Sequence, residues 1–465
     1  MALTPQAAAG ALAGRWSRLH PLSPIPKFAA AIAVLVAVLA TTLLSTTSPV
    51  GSSGPPGRDG GGHVAQLVDA ILVVTLAAFT LAAAVVSWLV TRWRVVGGEL
   101  QIDTGLIVRQ SLRFPLRRVQ AVDIVAPLTA RLLGLAEVRV VSAGVGHRQQ
   151  GRLAYMRDQE AAAVRAQLLA LAHGLAAETP EPPAMPLFQV RNGRLVAASL
   201  LRGPLWVVLA AVIVALALAA ANPAAAGSDA AASLFSAGLT ALFGVGVEAA
   251  RFVNTDFDFT IGEAPDGLRL HRGLLQKRHE TVPYARVQAL RLVRPLLWRP
   301  FGWARVELDV ARQPGPRRQG ESRQVSRLLA PVATLAEATW LISRVMPGAP
   351  TVLGGLGSPP RRSVLRVPLS YHLLRVWHDQ RYVVTQTGRV RPAVVVIPLA
   401  KVQSIRWQSG PLLRALRLAD VRIDTAGRRW VGEAVCRDQD EAAALLEELS
   451  LLARRARQSP MPVSS

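Results

Sequence analysis

Four stretches of the chain lose their polar residues almost completely. Phe28 to Leu44 is seventeen apolar or small residues without a charge, and Leu67 to Val90 is twenty-four whose only charge is Asp69. Pro204 to Ala221 and Ala230 to Ala250 form a second pair, with Glu248 near the end of the last. At about 1.5 Å of rise per residue each can cross the hydrocarbon of a bilayer. The pattern predicts four transmembrane helices in two hairpins, residues 28–90 and 204–250. Turn-rich loops join them, Gly51-Ser-Ser-Gly-Pro-Pro-Gly57 in the first and Asn222-Pro223 to Asp229 in the second. Asp69 and Glu248 lie within a few residues of helix ends, where a carboxylate reaches the interface; the other reading is an ion or proton path.

Between and after the hairpins the pattern changes to short alternating runs broken by glycine, and it changes in the same way three times. Pro115-Leu-Arg-Arg-Val-Gln120 returns as Pro283-Tyr-Ala-Arg-Val-Gln288 and as Pro398-Leu-Ala-Lys-Val-Gln403. Fifteen residues before each glutamine stands a glycine, Gly105, Gly273 and Gly388, and sixteen after it begins Ala136-Glu-Val138, Ala304-Arg-Val306 or Ala419-Asp-Val421. A Pro-Leu and a basic, leucine-rich connector lie between the last two anchors, from Pro127, Pro295 and Pro411. Alternation around the glycines and after Ala-x-Val predicts antiparallel strands. Each unit then closes on a helical pattern, over 159–172, 333–345 and 439–456. In the third, Ala442, Leu445, Leu446, Leu449 and Leu452 form a stripe with Glu447 and Glu448 turned away. The glycines suit turns with positive φ and the valines a core. Gln120, Gln288 and Gln403 either satisfy backbone groups or point to a shared ligand.

The glycine-to-glutamine spacing, the Pro-x-x-[Arg/Lys]-Val-Gln strand, the Pro-Leu connector and the Ala-x-Val strand resemble the bacterial pleckstrin-homology-like (PH-like) domain of the DUF304 type. Paired helices followed by such a domain are similar to the YdbS/YdbT-like membrane proteins. The resemblance implies a barrel or two packed sheets of about seven strands capped by a C-terminal helix, and no catalytic constellation. The expected architecture is a multi-domain α+β membrane protein with four transmembrane helices and three PH-like antiparallel β barrels. The segments are a cytoplasmic 1–27, hairpin 28–90, domain 93–173, a Pro-rich linker 174–200, hairpin 204–250, domain 252–346, a linker 347–364 and domain 365–457. The second unit departs from the pattern: it lacks the Arg-Asp-Gln that precedes the other two helices and carries a basic insert, Arg312 to Arg327.

Composition and charge set the orientation and narrow the partners. Of 465 residues 51% are hydrophobic and 18% charged, and the formal charge is +23. A cation excess that large should face an anion. The hairpin loops hold almost no cations, whereas both large polar regions and residues 1–27 are rich in them. The positive-inside rule then places both termini and the PH-like domains in the cytoplasm, on the inner membrane. Segment 28–44 starts after Arg15, Arg18 and Lys27 and lacks a convincing cleavage site, so it reads as an anchor, not a signal peptide.

Catalytic chemistry is not legible. The eight histidines form no His-x-x-x-His pair, and no phosphate loop or nucleophile elbow occurs. A lone cysteine, Cys436, excludes an intramolecular disulfide and a thiolate cage. No enzyme activity and no cofactor are expected. Basic residues instead gather around the repeated strand and connector: Arg113, Arg117, Arg118 and Arg131; Arg291, Arg294, Arg299 and Arg305; Lys401, Arg406, Arg414 and Arg417. Each cation near an anionic leaflet contributes about 1 kcal/mol. Nucleic acid is not expected, since aromatics for stacking are sparse. The aromatic connector Leu297-Trp-Arg-Pro-Phe-Gly-Trp303 reads either as a rim at the membrane interface or as core packing.

The expected function is a non-enzymatic membrane adaptor or scaffold that binds anionic phospholipid or a membrane-protein partner, a smaller one-domain companion among the candidates. The alternative is a component of a transport or export system giving tolerance to toxic peptides. A homo-oligomeric scaffold is a third reading.

Overall fold

The computed structural model describes residues 16–26, 71–72, 74–75, 78–79, 82, 85–86, 88–105, 109–142, 151–172, 174, 179, 181–221, 229–311, 327–350, 357–368, 370–388, 391–427 and 430–458. Asp69, most of the first predicted hairpin and nearly all of the basic insert after Arg312 lie outside them. The chain divides into two units, residues 1–183 with 275–280, and residues 184–274 with 281–465.

In the first unit β1 (Ser17–Arg18), β2 (Arg92–Val96), β3 (Glu99–Thr104) and β4 (Gln110–Pro115) form an antiparallel sheet in that order. A 3-10 turn, Leu116–Arg118, leads into a second sheet of β5 (Val119–Ala126), β6 (Leu135–Ser142) and β7 (Gly151–Arg157). Helix α1 (Leu128–Leu132) is the connector between β5 and β6, and α2 (Asp158–Ala172) follows β7. One core holds Leu100, Ile102 and Phe114 from the first sheet, Val122, Ile124, Val138 and Val140 from the second, and Ala161, Val164 and Leu168 from the helix. Residues 277–279, which belong to this unit, extend its second sheet beside β5.

The second unit opens with β8 (Met185–Gln189) and α3 (Asn192–Leu200), where the sequence suggested only linker. The strand pairs with β9 (Thr260–Ala264), and Val190, Leu195 and Ala198 are buried. A local pattern does not carry that outcome; a partner strand 75 residues away does. Helices α4 (Gly203–Ala221) and α5 (Asp229–Asp256) pack side by side, and a Cβ on Gly238 would come within 3.1 Å of Val212 Cγ2. Small residues at such crossings let helices approach closely. Two spans among the described residues are long and apolar enough to cross a membrane, Asn192–Val214 and Ser236–Asp256.

After α5 come β9, β10 (Gly267–Arg272) and β11 (Lys277–Val282), then β12 (Val287–Val293), β13 (Trp303–Val310), β14 (Arg327–Thr334) and α6 (Leu335–Val345). The third repeat supplies β15 (Arg375–His378), β16 (Tyr382–Thr387) and β17 (Ala393–Pro398), then β18 (Val402–Gln408), helix α7 (Pro411–Ala415), β19 (Leu418–Thr425), β20 (Gly432–Asp438) and α8 (Gln439–Gln458). Strands β14-β13-β12-β17-β16-β15 make one sheet and β18-β19-β20 another. The last strand of the third repeat's first sheet thus lies beside the first strand of the second repeat's second sheet. Its alternation serves two cores: Val394 and Val396 join Leu290 and Leu292, whereas Val395 and Ile397 join Val402, Val421 and Ile423. Helix α8 buries Ala442, Leu445 and Leu449 and exposes Glu447 and Glu448, as its stripe predicts.

Candidate functional site

The repeated motif is first of all a corner. Pro115 and Pro398 end a strand and Pro283 directly follows one, at φ of −59°, −66° and −60°; the next three residues make a 3-10 turn, and Val119, Val287 and Val402 resume extended backbone at φ near −70°. Proline presets that φ. Each following glutamine sits at a β-bulge, where the register slips between Val119 and Ala121, Val287 and Ala289, and Val402 and Ser404. A second slip falls inside each Ala-x-Val, at 136/138, 304/306 and 419/421. Two bulges at fixed spacing bend the sheet over its core. Gln288 is buried and donates from Nε2 to the Arg286 carbonyl at 3.3 Å, whereas Gln403 is exposed. No common ligand pocket follows from residues placed so differently. Gly105, Gly273 and Gly388 adopt φ of 96°, 111° and 90°, the left-handed side that glycine alone reaches cheaply.

The basic residues divide into two kinds. In the second repeat Arg291, Arg294, Arg299 and Arg305 are all half-buried. Arg305 Nε lies 3.0 Å and Arg291 Nη1 3.7 Å from Glu307, and their guanidinium groups lie over Trp430 and Phe252 respectively in the order Arg291, Arg305. Arg291 and Arg305 are thus engaged within the protein, Arg291 reaching the third repeat through Trp430. In the first repeat Arg113, Arg117, Arg118 and Arg131 are exposed. In the third, Lys401 Nζ donates to the Ala285 carbonyl at 2.9 Å, and Arg406 is held bidentately by Asp424 at 2.8 and 3.0 Å. That pair raises the Arg406 pKa. Arg414 and Arg417 are exposed and make no ion pair among the described residues.

What the three repeats share at the surface is the connector. Leu128 and Leu132 flank Arg131, Leu296 and Phe301 flank Arg299, and Leu412 precedes Arg414 and Arg417, and these apolar side chains are exposed. Apolar tips beside cations suit the boundary between headgroups and acyl chains. Each connector ends in a left-handed residue, Gly134 at φ 66°, Gly302 at 64° and Arg417 at 51°. In the third repeat an arginine occupies the position that glycine fills in the other two, at a cost of about 1–2 kcal/mol. The aromatic connector splits between its two readings. Trp298 is core, with Nε1 donating to the Ala198 carbonyl at 3.2 Å, whereas Phe301 is exposed and stacks on Trp303 at 5.0 Å. Through Trp298 this connector leans on α3, at the start of the first span. Nothing local in the sequence marks Ala198 for this contact.

At the base of the second hairpin Arg202 Nη1 lies 3.8 Å from Glu248, and Arg272 Nη1 pairs with Asp256 at 3.3 Å with both side chains buried. Glu248 therefore meets a cation from the turn between α3 and α4. Cys436 is fully buried beside Arg366, and burial pushes its thiol pKa up, which is the structural reading of this residue. No group of three or more His, Cys, Asp or Glu among the described residues is placed to hold a metal.

No curated protein and no solved structure matches the chain. The family model for the bacterial PH domain matches it three times, over residues 25–172, 195–338 and 328–453. The first match takes in the apolar stretches at 28–44 and 67–90, and the second those at 204–221 and 230–250. The chain belongs to the bacterial PH domain family and carries three copies of its domain.

Proposed function

We propose that the protein is a non-enzymatic adaptor of the cytoplasmic membrane, akin to the YdbS/YdbT-like proteins, in which four helices in two hairpins hold three PH-like barrels against the inner leaflet. Both termini and the barrels are cytoplasmic. The connectors touch anionic headgroups and keep the domains ready for a membrane-protein partner. The observation that carries this reading is the recurrence of exposed leucine or phenylalanine beside arginine on the same connector of every repeat. The contact through Trp298 to the start of a membrane span supports an interfacial depth for the second connector. The export alternative rests on Asp69 or Glu248; Glu248 has Arg202 beside it at 3.8 Å, and Asp69 lies outside the described residues.

The test uses the full chain in nanodiscs of zwitterionic lipid and of the same lipid with one-third anionic headgroups. Connector amides at 128–134, 296–302 and 411–417 exchange more slowly in the anionic discs, and the difference shrinks with salt. Replacing Arg414 and Arg417 by Gln removes about 2 kcal/mol from docking of the third connector, a roughly 30-fold change. Replacing Lys401 and Arg406 changes little, because both cations are already engaged within the protein. Equal exchange in the two lipids sinks the lipid reading. A reporter fused after Ser465 that works only outside the inner membrane sinks the topology.

A further inference from the structure

Two places in the chain show how one repeat accepts a strand from the next, and the register is the same in both. In the second unit β12 pairs with β17, Leu292 opposite Val394 and Val293 opposite Ala393. In the first unit β5 pairs with the start of β11, Ile124 opposite His279 and Val125 opposite Arg278. Val125 and Val293 each stand five residues after the bulged glutamine, and Arg278 and Ala393 each stand five before the corner proline. Register in a sheet is set by pairing geometry and by which face is buried. Two independent joints in one register therefore define a docking rule for this domain.

Both halves of that joint remain open once each. Strand β18 is the third repeat's counterpart of β5 and β12, and β4 is the first repeat's counterpart of β11 and β17. Among the described residues each lies at the edge of its sheet. Burial marks the missing neighbour. Ile124 and Leu292 are 7% and 5% exposed, whereas Trp407, at the same position of β18, is 41% exposed. Strand β4 presents Ser111 and Arg113 where β17 presents Val394 and Val396. Polar residues do not prevent the joint, since β11 presents His279 there and still pairs with β5.

We infer that copies of this chain join head to tail, β18 of one adding to β4 of the next in the register of the internal joints, with Trp407 opposite Ser111. The occupant is a second copy because one chain carries both complementary edges. Main-chain hydrogen bonds supply the contact, and covering Trp407 adds an apolar gain. Such an interface is heterologous, so it propagates until a ring closes. The inference does not rest on lipid binding and survives its failure.

Cysteines test the register directly in the full-length protein in its native membrane. Residues directly opposite in an antiparallel pair have Cα atoms about 4.5–5.5 Å apart, within disulfide reach. Under mild oxidation the W407C/S111C variant gives a ladder of chain multiples on a non-reducing gel. W407C alone and S111C alone give no species beyond a dimer, and W407C/L112C, whose side chains leave opposite faces, gives no ladder. A charge on an edge strand blocks pairing, so W407K lowers co-purification of two differently tagged copies at least tenfold; Trp407 is exposed enough for the fold to tolerate it. Absence of the ladder, an equal ladder from W407C/L112C, or full co-purification of W407K overturns the inference. Cross-linking of W407C/S111C to a different protein also overturns it and gives the edges to a heterologous partner.

Discussion

Arg437 is a buried cation that holds the segment before the third repeat. Its guanidinium is fully buried, with Nη2 donating to the Gly357 carbonyl at 2.7 Å and Nη1 3.3 Å from Glu441. Gly357 and Val376 exchange both backbone hydrogen bonds, at 3.0 and 3.4 Å, and this bridge fixes the segment before the third repeat against β15. Burial lowers the Arg437 pKa, yet the charge persists at any physiological pH. In R437A the charge-assisted bond to the carbonyl disappears, worth about 1.5–3 kcal/mol. The pair with half-exposed Glu441 adds under about 1 kcal/mol. Relief of the buried Nε, which has no partner among the described residues, offsets part of this. The Gly357 carbonyl keeps the Val376 donor, so it is not orphaned. The net is about 2 kcal/mol, confined to the bridge. Hydrogen exchange of the Gly357 and Val376 amides in the full chain should therefore accelerate roughly 30-fold, while β19 and β20 change little. Unchanged exchange at both amides refutes the assignment of Arg437 as the clasp, and equal acceleration throughout the third repeat shows that its role is global.

Four further outcomes follow from named contacts. In R417G, relief of the left-handed arginine, about 1–2 kcal/mol, is set against about 1 kcal/mol of glycine entropy; stability does not fall, while protection of the third connector in anionic nanodiscs does. G388A places a Cβ 2.7 Å from the Arg391 carbonyl in a φ of 90°, so the β16–β17 hairpin loses about 1–3 kcal/mol, read as faster proteolysis of the third repeat. Glu337 closes a capping box with Thr334 and bonds Arg194; burial alone would raise its pKa, but those bonds hold it below the usual carboxylate value. Its stabilisation is thus present above the unfolded value near 4.3 and is lost as pH falls through the lower folded one, so an acid titration of α6 by hydrogen exchange is flatter below about pH 4.5 in E337Q. Cys436, buried with a raised thiol pKa, should resist a maleimide in the native protein and react fully in denaturant.

The repeat, its spacing, its corner proline and its closing helices are legible along the chain, because each depends on residues close together in it. The apolar runs at 204–221 and 230–250 likewise announced their helices, since length and hydropathy decide them. Tertiary structure decided the rest. The glutamines proved to mark bulges, which exist only relative to a partner strand. Residues 185–200 became a strand and a helix because β9 and the core lie against them. Arg291 and Arg305, indistinguishable in pattern from the other basic residues, make contacts with Glu307, Trp430 and Phe252, while Arg414 and Arg417 stay exposed. The strand exchanged between repeats is the clearest case. Nothing in Ala393–Pro398 says which β-strand will lie beside it, because backbone pairing is chosen by long-range register and by the two cores that its alternate faces fill.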